Sequence, residues 1–471
     1  MVVARSLLFL IAVSNFGVVQ AETLSDEASS TLRKAAEYYR GTVSRNGGYV
    51  YHYSPDLTQR WGEGVATAEQ IWVQPPGTPT VGLAFLKAYE TTHDSMYLDA
   101  ATDAAVAIAY GQLKSGGWTN AIDFDPKGAG TAEYRNGRGG GKNNSSLDDG
   151  QSQSAIQLLV RVDGALETKN RIVHEASVIG LDALLRAQFP NGGFPQVWTG
   201  PVERHPIKKA NFPEHDWRTE GRIKNYWDMY TINDNVTGYV ADTLIAAHET
   251  YGEPRYMEAL KKLGDFLLLA QLPEPQPGWA QQYNYEMQPI WARRFEPPGV
   301  SGDETQEVIS TLMTIAHVTG DKKYLEPVPS AAAWLRRSAL PSGEFARYYE
   351  LQTNRPLYMS RSGKQYSLTY DDSRLPDHYG WKTPSQLEIL GKKFELIRAG
   401  KPPVLPVSER EQVQAARNAI ASLDSQGRWI STFDGEKLIG QLKLPIGTQY
   451  IASQVFADNV AALCNVISTA P

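Results

Sequence analysis

The sequence predicts an all-α fold, an α/α toroid built from successive helix hairpins with short β-strands at one rim. Three observations carry that prediction. Glycine–aromatic pairs recur, at Gly47-Gly48-Tyr49, Gly116-Gly117-Trp118, Gly192-Gly193-Phe194, Gly278-Trp279, Gly343-Glu344-Phe345 and Gly427-Arg428-Trp429. A two-helix pattern lies between successive marks. The joints inside the pairs resemble each other: residues 92–98 (THDSMYL) and 319–325 (TGDKKYL) share Thr, Asp, Tyr and Leu in register, and residues 252–257 (GEPRYM) are a looser copy. An open α-solenoid is the alternative. Polar groups gathered after the second helix of each pair favour a ring with a cleft on one face.

In chain order, residues 1–21 read as a signal peptide. Arg5 forms a sparse positive start, residues 7–13 an apolar core, and Val19-Gln20-Ala21 a small-residue cleavage site. The apolar run is too short to span a bilayer, and no later run is long enough. Export is expected, to the periplasm or outside, with no membrane association. Residues 22–79 hold an N-terminal helix (25–40) and a loop. Residues 80–385 form the main toroid, with helix pairs 80–92/97–113, 152–163/171–188, 235–250/254–271 and 303–318/323–339. In 303–318, Val308, Leu312, Ile315 and Ala316 share one helix face, and Ser301 with Glu304 makes a capping box. Residues 386–471 complete or flank the ring: the pair 384–398/408–423 straddles that boundary, and the last helix (452–467) is positioned to pack on the first. Residues 122–150 break the pattern with a Gly-rich basic loop that lacks the Gly-Lys-Ser/Thr ending of a phosphate loop, so a lid or cleft-edge loop is expected. Residues 199–224 are a second polar insertion, whose histidines are too far apart for a paired metal site.

Composition narrows the function classes. Apolar content of 42% supports a sizeable core. The net charge of −6 argues against a nucleic-acid binder, while leaving room for a local arginine cluster that takes a polyanion. With Cys464 the single cysteine, no intramolecular disulfide forms, and stability rests on the core or a metal. A monomer is expected.

Four segments place polar groups at the start of a helix or just past the end of one. They are Ser146–Gln153, Tyr226–Asn235, Gly278–Asn284 followed by Arg293-Arg294, and residues 343–364 (GEFARYYELQTNRPLYMSRSGK) with Arg347, Arg355 and Arg361. Each has a plain structural reading: Asp148/Asp149 and Asn233/Asp234 make good N-caps, and arginines are commonly solvated surface groups. Recurrence points further. Carboxylates from two repeats and arginines from two others would meet on one rim, where carboxylates suit a hard cation such as Ca²⁺ and arginines beside aromatic rings suit an acidic sugar.

GGFPQ at 192–196, YWDMYTINDN at 226–235, WAQQY at 279–283 and the TNRP…R run at 353–361 resemble family 10 of the polysaccharide lyases, the pectate lyases, over roughly residues 80–385. The resemblance implies an α/α toroid of fewer helix pairs. It also implies β-elimination of de-esterified polygalacturonate, an acidic polysaccharide, with Ca²⁺ and an arginine base. Carried onto this chain, it makes Arg361 the base and Arg347 a substrate-side arginine, with Arg293 in ARRFE a looser match. Asn354, Arg355 and Asn233 fall to substrate binding, and Asp234 and Asp149 to the metal. The family's W-x-AQHD is Trp279-Ala280-Gln281-Gln282-Tyr283 here, so one expected acidic ligand is absent and Asn284 is the nearest oxygen donor.

The C5 proton of a galacturonate becomes acidic only when its carboxylate is neutralised, which is work for a cation and arginines. An arginine base needs nearby positive charge and predicts an alkaline optimum. Two rivals stand beside this reading. An inverting glycoside hydrolase would set Asp149 and Asp234 roughly 6.5–9.5 Å apart, and a non-catalytic protein would bind polyuronate without turnover.

Overall fold

The computed structural model describes residues 8–219 and 223–467. The first seven residues of the expected signal peptide, part of the 199–224 insertion and the last four residues of the chain lie outside the described residues. Among those described are twelve α-helices: α1 (Leu8–Tyr38), α2 (Thr78–Thr92), α3 (Ser95–Tyr110), α4 (Gln151–Ala165), α5 (Arg171–Arg186), α6 (Val236–Tyr251), α7 (Pro254–Ala270), α8 (Gly302–Thr319), α9 (Val328–Ser338), α10 (Leu387–Arg398), α11 (Glu409–Ser422) and α12 (Ser453–Ile467). Among the described residues, no helix is long and apolar enough to cross a membrane.

The helices form two layers of an α/α toroid. α12, α2, α4, α6, α8 and α10 pack in succession as the inner layer, while α1, α3, α5, α7 and α9 back them from outside. Inner helices are apolar or small on most sides because both layers cover them: α4 buries Ala155, Ile156, Leu158, Leu159, Val160 and Val162. Outer helices bury one stripe, as α5 does with Val173, Ala176, Leu181 and Leu184. The two ends of the chain meet, since α1 and α11 both pack on α12 and His52–Tyr53 pairs with Ile451–Ala452.

Short strand pairs join each repeat to the next. The segment entering an inner helix pairs with the segment leaving the following outer helix: Gln70–Trp72 with Ala121–Asp123, Ser145–Ser146 with Val197–Trp198, and Tyr230–Thr231 with Gln282–Tyr283. These pairs therefore gather at the rim where the inner helices have their N-termini. Three marker aromatics hold the joints. The indoles of Trp118, Trp279 and Trp429 are buried and donate to the carbonyls of Ile108, Leu267 and Ala419 at 2.8–2.9 Å, each on the helix just before.

Two local expectations change, and one segment left open by the sequence takes a definite form. The helix expected over 323–339 is a 3-10 turn (Lys322–Leu325) followed by α9, because Pro327 lacks the amide proton that continuous helix needs. The arginine stretch is largely β: Tyr348–Tyr349 pairs with Pro356–Leu357, and Tyr358–Ser362 forms a hairpin with Gln365–Thr369. The capping box before α8 is half made. Ser301 Oγ accepts from the amides of Asp303 and Glu304 and donates to Glu304 Oε2, but the Ser301 amide donates to Trp279 O at 2.7 Å, so Glu304 Oε1 is left to Gln281 and Arg347.

Candidate active site

The N-termini of α2, α4, α6 and α8 surround a cavity of about 910 Å³ lined by Glu63, Gln74, Asp149, Asp234, Glu307 and Lys437, among others. Helix N-termini carry partial positive charge and unpaired amides, which favour carboxylates there. The expected capping roles are not what the carboxylates fill. α4 begins after Gly150 and α6 after Asn235, neither with a side-chain cap. Asp149 (φ 46°) and Asp234 (φ 52°) instead sit in left-handed backbone, a conformation costly for a residue with a Cβ.

Two arginines cross this acidic ring. Arg347, nearly enclosed, donates from Nη2 to Glu304 Oε1 (2.9 Å) and Asp234 Oδ1 (3.3 Å) and from Nη1 to Asp303 Oδ2 (3.2 Å). Its guanidinium lies 4.8 Å from the centre of the Tyr379 ring. Arg293, with 30% of its side chain exposed, forks onto Asp148 at 3.0 and 3.2 Å and reaches Glu296 at 3.4 Å. Buried amide and phenol groups tie the two centres together. Gln281 donates to Glu304 (2.7 Å), Tyr348 donates to Gln281 (2.5 Å), Tyr379 donates to Glu296 (3.2 Å), and Gln196 donates to Asp148 (2.6 Å).

Charge crowding shows in the proton affinities. Burial, then the neighbouring Asp234, Asp148 and Glu63, push the Asp149 carboxyl up to about 7, against a smaller pull from Arg293. Burial also raises Asp234, and burial with Glu304 and Asp303 raises Glu307 well above the usual range. For Arg293, burial works to lower proton affinity, but Glu296, Asp148 and Asp234 outweigh it and hold the guanidinium charged.

Of the residues singled out from the sequence, the structure brings Arg293, Arg347, Asp149, Asp234 and Asn233 together; Asn233 donates to Asp234 Oδ2 at 2.7 Å. Asn354 is turned into the scaffold instead. It accepts from Gln276 (3.0 Å) and Trp334 (2.8 Å) and donates to Ser338 (2.8 Å), which uses its amide on packing. Arg355 lies exposed over the Tyr370 ring at 3.5 Å. Arg361 is exposed on the hairpin, its Nε donating to Gly363 O at 2.9 Å and its guanidinium 5.6 Å from the Tyr366 ring centre. Where the family pattern carries an acid, Tyr283 is buried and donates to Ala270 O at 2.8 Å. Asn284 does not replace the acid, because its Oδ1 accepts the amides of Glu286 and Gln288 in a local turn.

The sequence reading missed Glu296, Asp303 and Glu307, and saw in Glu304 only a cap. Their signal was present: DETQE at 303–307 puts three carboxylates in the first turns of α8, the same placement as Asp148 and Asp234 ahead of α4 and α6. Among the described residues, no group of three or more His, Cys, Asp or Glu side chains is arranged to hold a metal ion. The donors that do face the cavity are hard oxygens, the type a calcium ion takes.

Residues 112–344, just under half of the chain, match the profile of the pectic acid lyase family. The likeness to that family belongs to this segment. The segment holds Asp148, Asp149, Asp234, Arg293 and the acidic start of α8, whereas Arg347, Arg361 and Lys437 lie beyond its end. No curated protein sequence matches the chain. Among solved structures, it is similar to a family 10 polysaccharide lyase from Cellvibrio cellulosa, a mutant in complex with trigalacturonic acid, at 21% identity and TM-score 0.46 over 65% of this chain and 93% of that one. It is also similar to cellobiose 2-epimerase from Spirochaeta thermophila, at 14% identity and TM-score 0.47 over 96% and 98%. A family 76 α-mannanase from Bacteroides thetaiotaomicron is similar at 11% identity and TM-score 0.44 over 95% of each chain.

Proposed function

We propose that this protein is an exported, monomeric pectate lyase that cleaves de-esterified polygalacturonate by β-elimination. The observation that carries the reading is the meeting of Arg293 and Arg347 with the carboxylate ring, inside and just beyond the pectic acid lyase segment. Arg347 is locked by three carboxylates and by Tyr379, so it positions Asp234 and sets the local charge. Arg293 keeps a third of its side chain open and can fork onto a substrate carboxylate, drawing charge from it as the C5 proton leaves. Asp149 and Asp234 are the residues that would hold Ca²⁺, a role their oxygen chemistry suits. The ion, when bound, would neutralise the uronate acid and the crowded ring together.

The base remains Arg361 in this reading. It sits on the exposed hairpin, so its reach to C5 depends on a polymer lying across the rim. Arg293 is the competing position because it already stands among the carboxylates, on Asp148, with part of its side chain open. Ultraviolet absorbance of the unsaturated product, followed on polygalacturonate at alkaline pH, separates them. With Arg361 as base, Arg361→Ala loses on the order of 10³-fold in kcat, and Arg293→Lys mainly raises KM. The reverse pattern moves the base to Arg293. No unsaturated product from wild-type protein under any calcium concentration rejects the lyase.

Asp149 favours one second reading. A carboxyl that stays protonated near neutrality is what an inverting glycoside hydrolase needs as its acid, with Asp234 opposite. New reducing ends without an unsaturated product would select it.

A further inference from the structure

The C-terminal segment 433–446 lies outside the pectic acid lyase match, yet its residues 437–441 wall the central cavity. It is tied down from behind. The Ile439 carbonyl lies 3.1 Å from His52 Nε2, and Phe433 exchanges backbone hydrogen bonds with Gly447 and Thr448. Gly440 (φ 75°) runs so close to the 52–62 segment that an added Cβ would stand 2.5 Å from Gly62 O.

This strap borders a second cavity of about 490 Å³, and Lys437 and Gln441 line both cavities, so the two are neighbours along the strap. Their chemistry differs. The central cavity faces Glu63, Asp149, Asp234 and Glu307. The outer one is lined by Phe433, Leu442, Leu444 and Ile446, and its charges balance: Lys443 stands 3.6 Å from Asp377, and Glu436 accompanies Lys437. His378 adds no charge near neutral pH, since burial and then the nearby Arg361 push its imidazole down. Ile446 is 77% exposed and Ile439 49%, a large apolar display for positions beside an acidic cleft.

We propose that the strap builds an outer subsite of the cleft, which takes an uncharged sugar residue of the same polysaccharide whose acid residue is held at Arg293. The uncharged residue is a methyl-esterified uronate or a neutral sugar. The proposal rests on the lyase reading for the identity of the polymer. Its physical basis is that the C–H faces of a pyranose pack on aliphatic and aromatic side chains. A free carboxylate there would meet charges that already offset one another, Lys437 and Lys443 against Glu436 and Asp377, and would lose hydration against the leucines.

The test measures Kd calorimetrically on the full chain, with galacturonan oligomers of equal length in three forms: fully de-esterified, partly methyl-esterified, and interrupted by rhamnose. Wild-type protein is expected to bind at least one uncharged-residue form as tightly as the de-esterified form or tighter. The form preferred identifies ester or neutral sugar. Ile446→Asp and Leu444→Asp are expected to weaken that form on the order of tenfold while trigalacturonate shifts less than about twofold. Tighter binding of the de-esterified form by about tenfold, equal weakening of every ligand, or no change in either variant overturns the proposal. Product absorbance is read separately. Its absence with the binding pattern intact removes the lyase and leaves the subsite.

Discussion

Asp149 is one of several carboxylates whose raised proton affinity makes the site sensitive to pH. Its carboxyl is raised to about 7 by burial first and by Asp234, Asp148 and Glu63 after that. An unfolded aspartate titrates near about 4. The folded chain therefore binds the proton more tightly, and the stabilisation is complete below about pH 4 and lost as pH rises through about 7. The thermal midpoint is expected to fall across that window, and Asp149→Asn to flatten the fall; a variant that tracks wild type from acid to neutral would take Asp149 out of this account. Asp149 is exposed at the cavity, so solvent screening keeps the effect modest. That Asp149 and Asp234 stand at one rim was legible in the sequence from their place ahead of a helix. That neither is a cap was not, because a cap and a cleft carboxylate look alike until the backbone angle is known.

At the scale of elements, the glycine–aromatic marks prove to be the hinges between an outer helix and the rim. Gly192 (φ 94°) is the most confined, since a Cβ there would lie 1.8 Å from Lys262 O. Gly343 (φ 84°) has the same backbone need and open space around it. Gly343→Ala is expected to cost about 1 kcal/mol, the penalty for left-handed backbone alone. Gly192→Ala should cost more than about 3 kcal/mol, because backbone must move. Denaturant melts of the two variants test this, and equal losses would mean that the 254–270 helix gives way easily. Helix ends were readable to within a few residues from period and joint motifs. The split at Pro327 and the hairpin after Tyr349 were less so, as a short polar run can be loop or edge strand with equal ease.

For the whole molecule, the ring depends on its last helix. α12 fills the inner layer beside α2, with Phe456 stacked on Tyr39 at 3.9 Å and Val460, Leu463 and Cys464 buried. A chain ending at residue 452 is expected to lose its cooperative thermal transition, since α1, α2 and α11 would expose the faces that α12 covers. An unchanged midpoint would show that the remaining inner helices hold the ring without it. The same closure brings the strap at 433–446 over a cleft whose acids come from residues 63 to 307.

By itself the sequence determined the repeat, the helix hairpins, the rim of short strands and the acidic and basic segments that meet there, because periodicity and glycine placement are local properties of a chain. Only the tertiary structure decided which charges meet. It paired Arg347 with Glu304 and Asp234 and Arg293 with Asp148, turned Asn354 inward, left Arg361 on the rim and set Lys437 opposite the acids. Those pairings join residues as much as 145 positions apart. They follow from how six inner helices stack, which no local pattern records.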